Sequence, residues 1–394
     1  MYYWRKPYSL FISTWCMVYD YIIAGAGAAG MQLALAMAED AFFNEKTILL
    51  IDPSNSGHTD KRWCYWECDA KQWDALVEHT WHTVAVRTMQ GEYVLPLKEY
   101  SYKMLRAEAF FNYARTRLEA LPNITRCTDR IVSVQNNVYP LCLQGEKGTY
   151  FAKHLFDSRV EAPKGASARG QVNLYQHFLG WEVETENDVF NPDCVELMDF
   201  RFAKPGTCSF MYVLPYTKRK ALVEFTVFSA TVWETSDYEN ALRTYLGEHA
   251  YKVVGKEEGV IPMSTMPFQQ TGGAFHTKIG TAGAWVKPST GYSFMASGEK
   301  IKQVIANIKA GRPPEYRLIQ GRFRYYDRLL LDILYRDNAQ GPTLFDTLYR
   351  KNKIQLLFRF LDEKTNFWEE LGIMSRFNPV PFIMSIIRSW RAFM

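Results

Sequence analysis

Residues 21–52 read YIIAGAGAAGMQLALAMAEDAFFNEKTILLID, and the order of the parts decides the fold. Tyr21-Ile22-Ile23-Ala24 is a short apolar run of the kind buried on both faces of a parallel sheet. Gly25-Ala26-Gly27-Ala28-Ala29-Gly30 follows as a G-x-G-x-x-G turn, and the Ala, Leu and Met after it are strong helix formers. Thr47 to Ile51 is a second apolar strand, closed by Asp52, 22 residues beyond Gly30. Each piece has a task in holding a dinucleotide. Gly25 permits the tight turn, Gly27 lets the backbone approach a pyrophosphate, Gly30 lets helix pack on strand, and Asp52 stands where an acid reaches a ribose. Ala28 and Ala29 bring the free N–H groups of the helix N-terminus to the phosphates, with the helix dipole behind them. The motif alone does not separate FAD from NAD.

Outward from this unit, 394 residues at 47% hydrophobic and 22% charged are enough for two globular domains sharing a long interface. A net charge of +4 is too small to imply nucleic acid as a partner. Aromatic residues make up 15% of the chain, enough for large cores and also for a cavity taking a long apolar ligand. The seven cysteines are scattered, and only Cys64 and Cys68 are close, with no second pair at zinc spacing. Reduced, cytosolic thiols and no metal are the expectation. No stretch reads as a spanning helix. Residues 1–16 read as a dispensable extension, because a strand must begin near Tyr19 and a start at Met17 would spare the fold.

Lys61-Arg62-Trp63-Cys64-Tyr65-Trp66-Glu67 sets aromatics between charges, which suits a segment lying against a cofactor. Residues 79–98 alternate around Gly91-Glu92 as a hairpin. Lys103 to Leu118 carries apolar residues at helical spacing, with Arg106 in reach of phosphates. Residues 160–170 look like a crossover, 171–230 are mostly strand-like, and Ser236 with Glu239 forms a capping-box pattern. Residues 279–294 repeat the opening style of strand, Gly-rich turn (Gly283, Gly291, Tyr292) and helix, read as a second contact with the dinucleotide. Residues 311–394 have helical spacing around Tyr325–Leu334 and Leu344–Phe360.

In this order, the motifs resemble the lycopene cyclases of carotenoid biosynthesis, of the bacterial β-cyclase type. The resemblance rests on Gly25–Gly30, Arg62–Glu67, Phe156-Asp157-Ser158-Arg159, Gln176–Glu184, Met198–Arg201, Tyr212-Val213-Leu214-Pro215 and Val223-Glu224-Phe225-Thr226. It continues through Ala282-Gly283 with Pro288–Ser293, Phe323–Asp327, Leu357–Glu363 and Pro379–Phe382. It implies an α/β flavoprotein: a glutathione-reductase-like, FAD-binding Rossmann domain, an inserted β-sheet substrate domain and a C-terminal helical region. The FAD-binding domain is then discontinuous, over 17–60, 100–160 and 260–310. Residues 61–99 and 161–259 form the substrate domain, and 311–394 the helical region. The cofactor set so implied is Gly25, Gly27, Ala28, Ala29, Gly30, Asp52, Arg62, Gly283, Gly291 and Tyr292. The implied reaction closes the acyclic ψ-ends of lycopene to β-ionone rings without net redox change. Reduced FAD stabilises positive charge, and NAD(P)H is the reductant.

That chemistry needs an acid kept neutral in a dry site to protonate an alkene, and burial raises a carboxyl pKa. Glu224, alone in the apolar strand Leu222–Phe228, is the expected acid. The family's motif has a second acid after the first, but this chain has Phe225 there. Glu182, Glu184 and Asp199 are secondary candidates for positioning or deprotonation. Trp63, Trp66 and Tyr212, with Tyr292, are expected to wall the substrate site and face the developing cation. Two enzymes on the same fold, an FAD-dependent monooxygenase and a prenyl-chain reductase, are the alternatives, and a flavin-less isoprenoid carrier is another. Since lycopene resides in the bilayer, a cytoplasmic chain attached peripherally to the inner face of the membrane is expected. Residues 379–394 are the expected contact.

Overall fold

The computed structural model describes residues 17–54, 61–69, 71–160, 172–264 and 271–393, with side chains of the last helix described as far as Ser389. The extension expected at 1–16 and almost all of the crossover at 160–170 lie outside these residues.

Val18–Ala24 is the centre of an eight-stranded sheet. Ile48–Asp52 and Thr149–Asp157 flank it in parallel, and Ile124–Thr128 and His276–Lys278 extend it in parallel on either side. Alternate residues of the central strand feed two cores. Ile23 packs with Leu50 and Phe156 under the helices Ala28–Ala38, Ala107–Glu119 and Phe294–Lys309. Ile22 packs with Leu49 and Leu155 under the hairpin Ile131–Gln135/Leu141–Gly145. Helices on one face and a small antiparallel layer on the other bury both sides of the parallel strands, as their unbroken apolar sequences require.

The second sheet has seven strands in the order Tyr251–Ser264, Asn173–Thr185, Lys220–Ser229, Cys208–Pro215, Val195–Asp199, Thr83–Thr88, Gly91–Pro96. One face lies under the helix Thr235–Leu246, whose Tyr238, Leu242 and Leu246 meet Leu179, Trp181, Val223, Phe225 and Val227. The other presents Phe210, Leu214, Leu222 and Phe228 to the C-terminal helices, against Leu344, Phe345 and Tyr349. Both faces of Lys220–Ser229 are therefore covered, and every residue from Ala221 to Phe228 is buried.

A three-stranded antiparallel sheet, Arg62–Cys68/Tyr100–Arg106/Val77–Trp81, joins the two halves. Tyr65 and Leu105 point into the core under the first sheet, while Trp66, Tyr102 and Met104 point into the core between the second sheet and the C-terminal helices. The helices Gly321–Arg336, Gly341–Lys351, Ile354–Leu361, Phe367–Met374 and Pro379–Phe393 complete the chain.

Several local expectations change. The helix expected from Lys103 begins at Ala107, because Tyr100–Arg106 is paired on both edges as a strand. Segment 61–99 divides between the small sheet and the expected hairpin, which edges the large one. Tyr251–Ser264 runs unbroken through the boundary set between 259 and 260. The helix near Ser236 begins at Thr235 with Glu234 as N-cap and no side-chain cap. The capping box found is Asn366 with Glu369. Among the described residues no helix is long and apolar enough to cross a membrane, and no cluster of His, Cys, Asp or Glu is arranged to hold a metal.

Candidate active site

The nucleotide turn is shaped by contacts that leave no room for side chains. At Gly25, φ is +100°, and a Cβ would stand 2.0 Å from Ser158 Oγ. At Gly30 a Cβ would stand 2.0 Å from the Gly25 carbonyl oxygen. Gly27 is different: nothing lies within 4 Å of where its Cβ would be, and no side chain caps the helix it opens. Open space thus faces the uncapped N–H groups around Ala28 and Ala29. Asp52 closes the turn, with Oδ2 accepting from the Ala26 N–H at 2.7 Å and Oδ1 from the Ser54 N–H at 2.9 Å. In the second turn a Cβ at Gly280 would stand 3.0 Å from Ala29 Cβ, and one at Gly283 would stand 2.4 Å from the Lys278 carbonyl oxygen. The two Gly-rich turns therefore meet at one place, with space for a phosphate-bearing ligand.

Between the small and large sheets lies a cavity of about 210 Å³ lined by Arg62, Trp63, Trp66, Tyr212, Glu224, Thr226, Glu257 and Tyr292, among others. The alternation of Lys220–Ser229 aims Leu222, Glu224, Thr226 and Phe228 into it, while Val223 and Phe225 face the covering helix. Phe225, at the family's second acidic position, therefore points away from Glu224. Glu224 is 7% exposed, and Thr226 Oγ1 donates to its Oε1 at 2.5 Å. Burial, then the nearby Glu257, pushes the Glu224 carboxyl up to about 8. At neutral pH it is an acid with its proton on.

Arg62, expected on the cofactor, is instead held by two carboxylates of the large sheet, Glu182 at 2.5 Å and Glu257 at 2.6 Å. Glu182 also meets Lys220 at 3.2 Å, so it positions Arg62 within a charged row. Burial raises the Glu257 carboxyl, and the Arg62 guanidinium opposes that rise. Of the other expected acids, Glu184 reaches only Lys220, at 3.5 Å from the sheet's rim, and Asp199 is bound by Arg201 at 2.6 Å. Arg106 is paired with Glu78 rather than free for phosphates.

The expected aromatic walls come together. Trp63 stacks on Phe294, with ring centres 4.8 Å apart, and Trp66 stacks on Phe358 at 4.5 Å and meets Tyr292 edge-on at 4.7 Å. Tyr102 was not foreseen: its hydroxyl bridges those of Tyr212 at 2.8 Å and Tyr292 at 2.7 Å, and burial raises all three phenols. Gly291, at φ +73°, brings this loop against Gln176 and Ile261 of the large sheet. Gln176 Oε1 is buried there without a hydrogen-bond partner among the described residues. A second cavity, of about 350 Å³, shares Trp66 and Tyr292 and extends along 284–300 and 361–364. There Trp66 Nε1 donates to Asp362 at 2.9 Å, and burial pushes that carboxyl up to about 6.

Solved structures share this architecture at low identity. A geranylgeranyl bacteriochlorophyll reductase-like protein from Thermoplasma acidophilum superposes with a TM-score of 0.59 at 13% identity, covering 95% of this chain and 100% of that one. A flavin-dependent brominase, Bmp2, gives 0.59 at 12%, covering 95% and 100%. A halogenase, PltM, solved with phloroglucinol and FAD, gives 0.57 at 12%, covering 88% and 82%. These establish the fold, the Rossmann type found in flavin-dependent enzymes. The family model for lycopene cyclase proteins matches residues 20–388, nearly the whole chain, and the chain belongs to that family.

Proposed function

We propose that this protein closes the ψ-ends of lycopene to β-ionone rings by acid-initiated cation cyclisation, with Glu224 as the acid. The observation that carries the reading is a carboxyl held neutral to about pH 8 in a small cavity walled by aromatic rings. Glu224 delivers its proton to the terminal double bond, leaving a tertiary cation. The neighbouring double bond attacks it, the ring closes, and loss of a ring proton restores neutrality. Atoms and electrons balance without an oxidant. Thr226 fixes the carboxyl through its hydroxyl. Trp63, Trp66, Tyr212 and Tyr292 exclude water and offer π-faces, worth roughly 0.5–2 kcal/mol per cation contact. At about 210 Å³ the cavity is below the ~300–1,000 Å³ of drug-sized sites, so it takes one end-group at a time.

The open, uncapped turn at Gly27, the adjoining turn at Gly283 and Asp52 fit FAD, and Gln176 Oε1 supplies an unpaired acceptor near the loop of Gly291 and Tyr292. Reduced FAD, bound there, would supply negative charge near the cation, and NAD(P)H is the reductant in this reading. Substrate arrives from the inner face of the membrane. Support comes from the inverted final helix, Pro379–Phe393: Val380, Ile383, Met384 and Ile387 form an exposed apolar stripe, while Ser385 and Ser389 are buried. Trp368, at 76% exposed, and Phe367 of the preceding helix are further exposed aromatic residues near the C-terminus in sequence. Such a face suits the headgroup region of a bilayer.

The test is expression in a bacterium engineered to accumulate lycopene, with chromatography and mass detection of the pigments. A new carotenoid of unchanged mass and shortened chromophore is expected. A product of altered mass would transfer the protein to reductase or oxygenase chemistry.

A further inference from the structure

Glu224 and Glu257 lie two strands apart on the same face of the large sheet, and both line the cavity. They are in register through a single residue, Gly180, which pairs with Glu224 on one side and Glu257 on the other. With neighbouring strands about 4.8 Å apart, the two Cα atoms are separated by about 10 Å. Between them the sheet has no side chain. A Cβ at Gly180 would stand 3.1 Å from Leu222 Cδ1 and 3.4 Å from Glu224 Cβ, so these two side chains lie over the glycine and a larger residue would displace them.

The two carboxyls differ in environment. Among the described residues Glu224 receives one hydrogen bond, from the Thr226 hydroxyl. Glu257 Oε2 is bound by Arg62 Nη1 at 2.6 Å, in an ion pair whose side chains are 9% and 11% exposed. Arg62 is anchored from the other side by Glu182, so its charge stays in place as a ligand enters. One carboxyl held by a hydroxyl and one held in an ion pair, in register on one face of the cavity, suit the different tasks of an acid and a base.

We propose that Glu257 is the base of the cyclisation, accepting the ring proton from the cation that Glu224 creates. This rests on the cyclase reading and adds the residue that ends the reaction. Protonation of the alkene forms a C–H bond and leaves Glu224 anionic. Ring closure moves the cation, and its adjacent C–H bond breaks, with the electron pair forming the ring double bond and the proton passing to Glu257. The new charge on Glu224 strengthens Glu257 as acceptor, and between turnovers both carboxyls exchange with solvent, Glu257 losing a proton and Glu224 regaining one, so the pair is reset with no net proton used. Gly180 lets the Leu222 and Glu224 side chains settle between the two strands that carry the carboxyls.

The test uses the full chain, flavin-loaded, with lycopene in liposomes. The wild type, Glu224→Gln, Glu257→Gln, Glu257→Asp and Gly180→Val are compared for rate and for the position of the ring double bond. Glu257→Gln is expected to lose about 10²-fold or more of the rate, with residual product shifted toward rings whose double bond lies elsewhere. Glu257→Asp is expected to regain part of the rate and the original isomer. Gly180→Val is expected to retain flavin and lose cyclisation. Wild-type rate and product from a folded Glu257→Gln, beside an inactive Glu224→Gln, would overturn the assignment and leave the cyclase reading intact. An equal loss in Glu257→Gln and Glu257→Asp, with the isomer pattern unchanged, would make Glu257 an anchor for Arg62 and also overturn it. No cyclisation by wild type would instead remove the reading beneath it.

Discussion

Replacing Glu224 by Gln should abolish cyclisation and at the same time stabilise the protein at alkaline pH. In the unfolded chain a glutamic acid ionises near 4.5, whereas in the fold burial and Glu257 hold Glu224 protonated to about 8. Between those values the folded state binds a proton that the unfolded state does not, so stability falls as pH rises. At 1.36 kcal/mol per pH unit, the cost accumulates to about 5 kcal/mol by pH 8 and is constant beyond. Below pH 4.5 both states are protonated and the cost is absent. Glu224→Gln has no such proton. Its stability relative to wild type should therefore be smallest in acid, climb through pH 5–8 and level off above. Urea unfolding of flavin-loaded protein at half-unit steps of pH measures this directly. Parallel stability profiles for wild type and variant from pH 5 to 9 would refute the claim that Glu224 is buried and neutral.

Three further outcomes follow from the geometry. Gly27→Val places a side chain in open space at an extended residue (φ −72°), so the apoprotein should fold normally and purify without flavin absorbance. Arg62→Ala leaves the buried Glu257 without its guanidinium, while Glu182 keeps Lys220, and should cost about 3–5 kcal/mol in chemical denaturation. That loss should shrink as pH falls, because the Glu257 carboxyl, already raised by burial, can then take up a proton. Ile383→Lys with Ile387→Lys, on the exposed stripe, should move the protein from the membrane fraction to the supernatant while its folding and flavin content hold; unchanged co-sedimentation with vesicles would place the contact elsewhere.

Much of the fold was legible because parallel strands buried on both faces are continuously apolar. Tyr21–Ala24, the Gly25–Gly30 turn and Ile48–Asp52 could be read directly, and the pairing of Val18–Ala24 with Ile48–Asp52 follows that reading. Glu224 was legible for the same reason, as a lone acid in an apolar run. What single-strand reading misses is what covers each face. An outward-facing Glu224 is consistent with the sequence until the cavity and the C-terminal helices are seen on that side. Glu257 was missed because Lys252–Gly259 looks like a solvated strand. Its signal was the period of two, which sets Val253, Gly255, Glu257, Gly259 and Ile261 on one half-buried face and leaves Lys252, Val254, Lys256, Glu258 and Val260 exposed. Arg62 was assigned to the cofactor because its two anions are 120 and 195 residues away. Lys103–Arg106 was read as the start of a helix, but two strand partners override the helical spacing there.

The central claim is acid initiation without net redox change, and the most direct measurement is cyclisation in deuterium oxide. The flavin-loaded, reduced protein converts lycopene in liposomes equilibrated with D₂O, and the product is weighed by mass spectrometry. Glu224 exchanges its proton with solvent, so each ring should retain one deuterium on the carbon it protonates. The mass should rise by one unit per ring over the same product made in H₂O, with the H₂O product equal in mass to lycopene. A ring formed without deuterium, or a product heavier or lighter than lycopene in H₂O, would contradict the account.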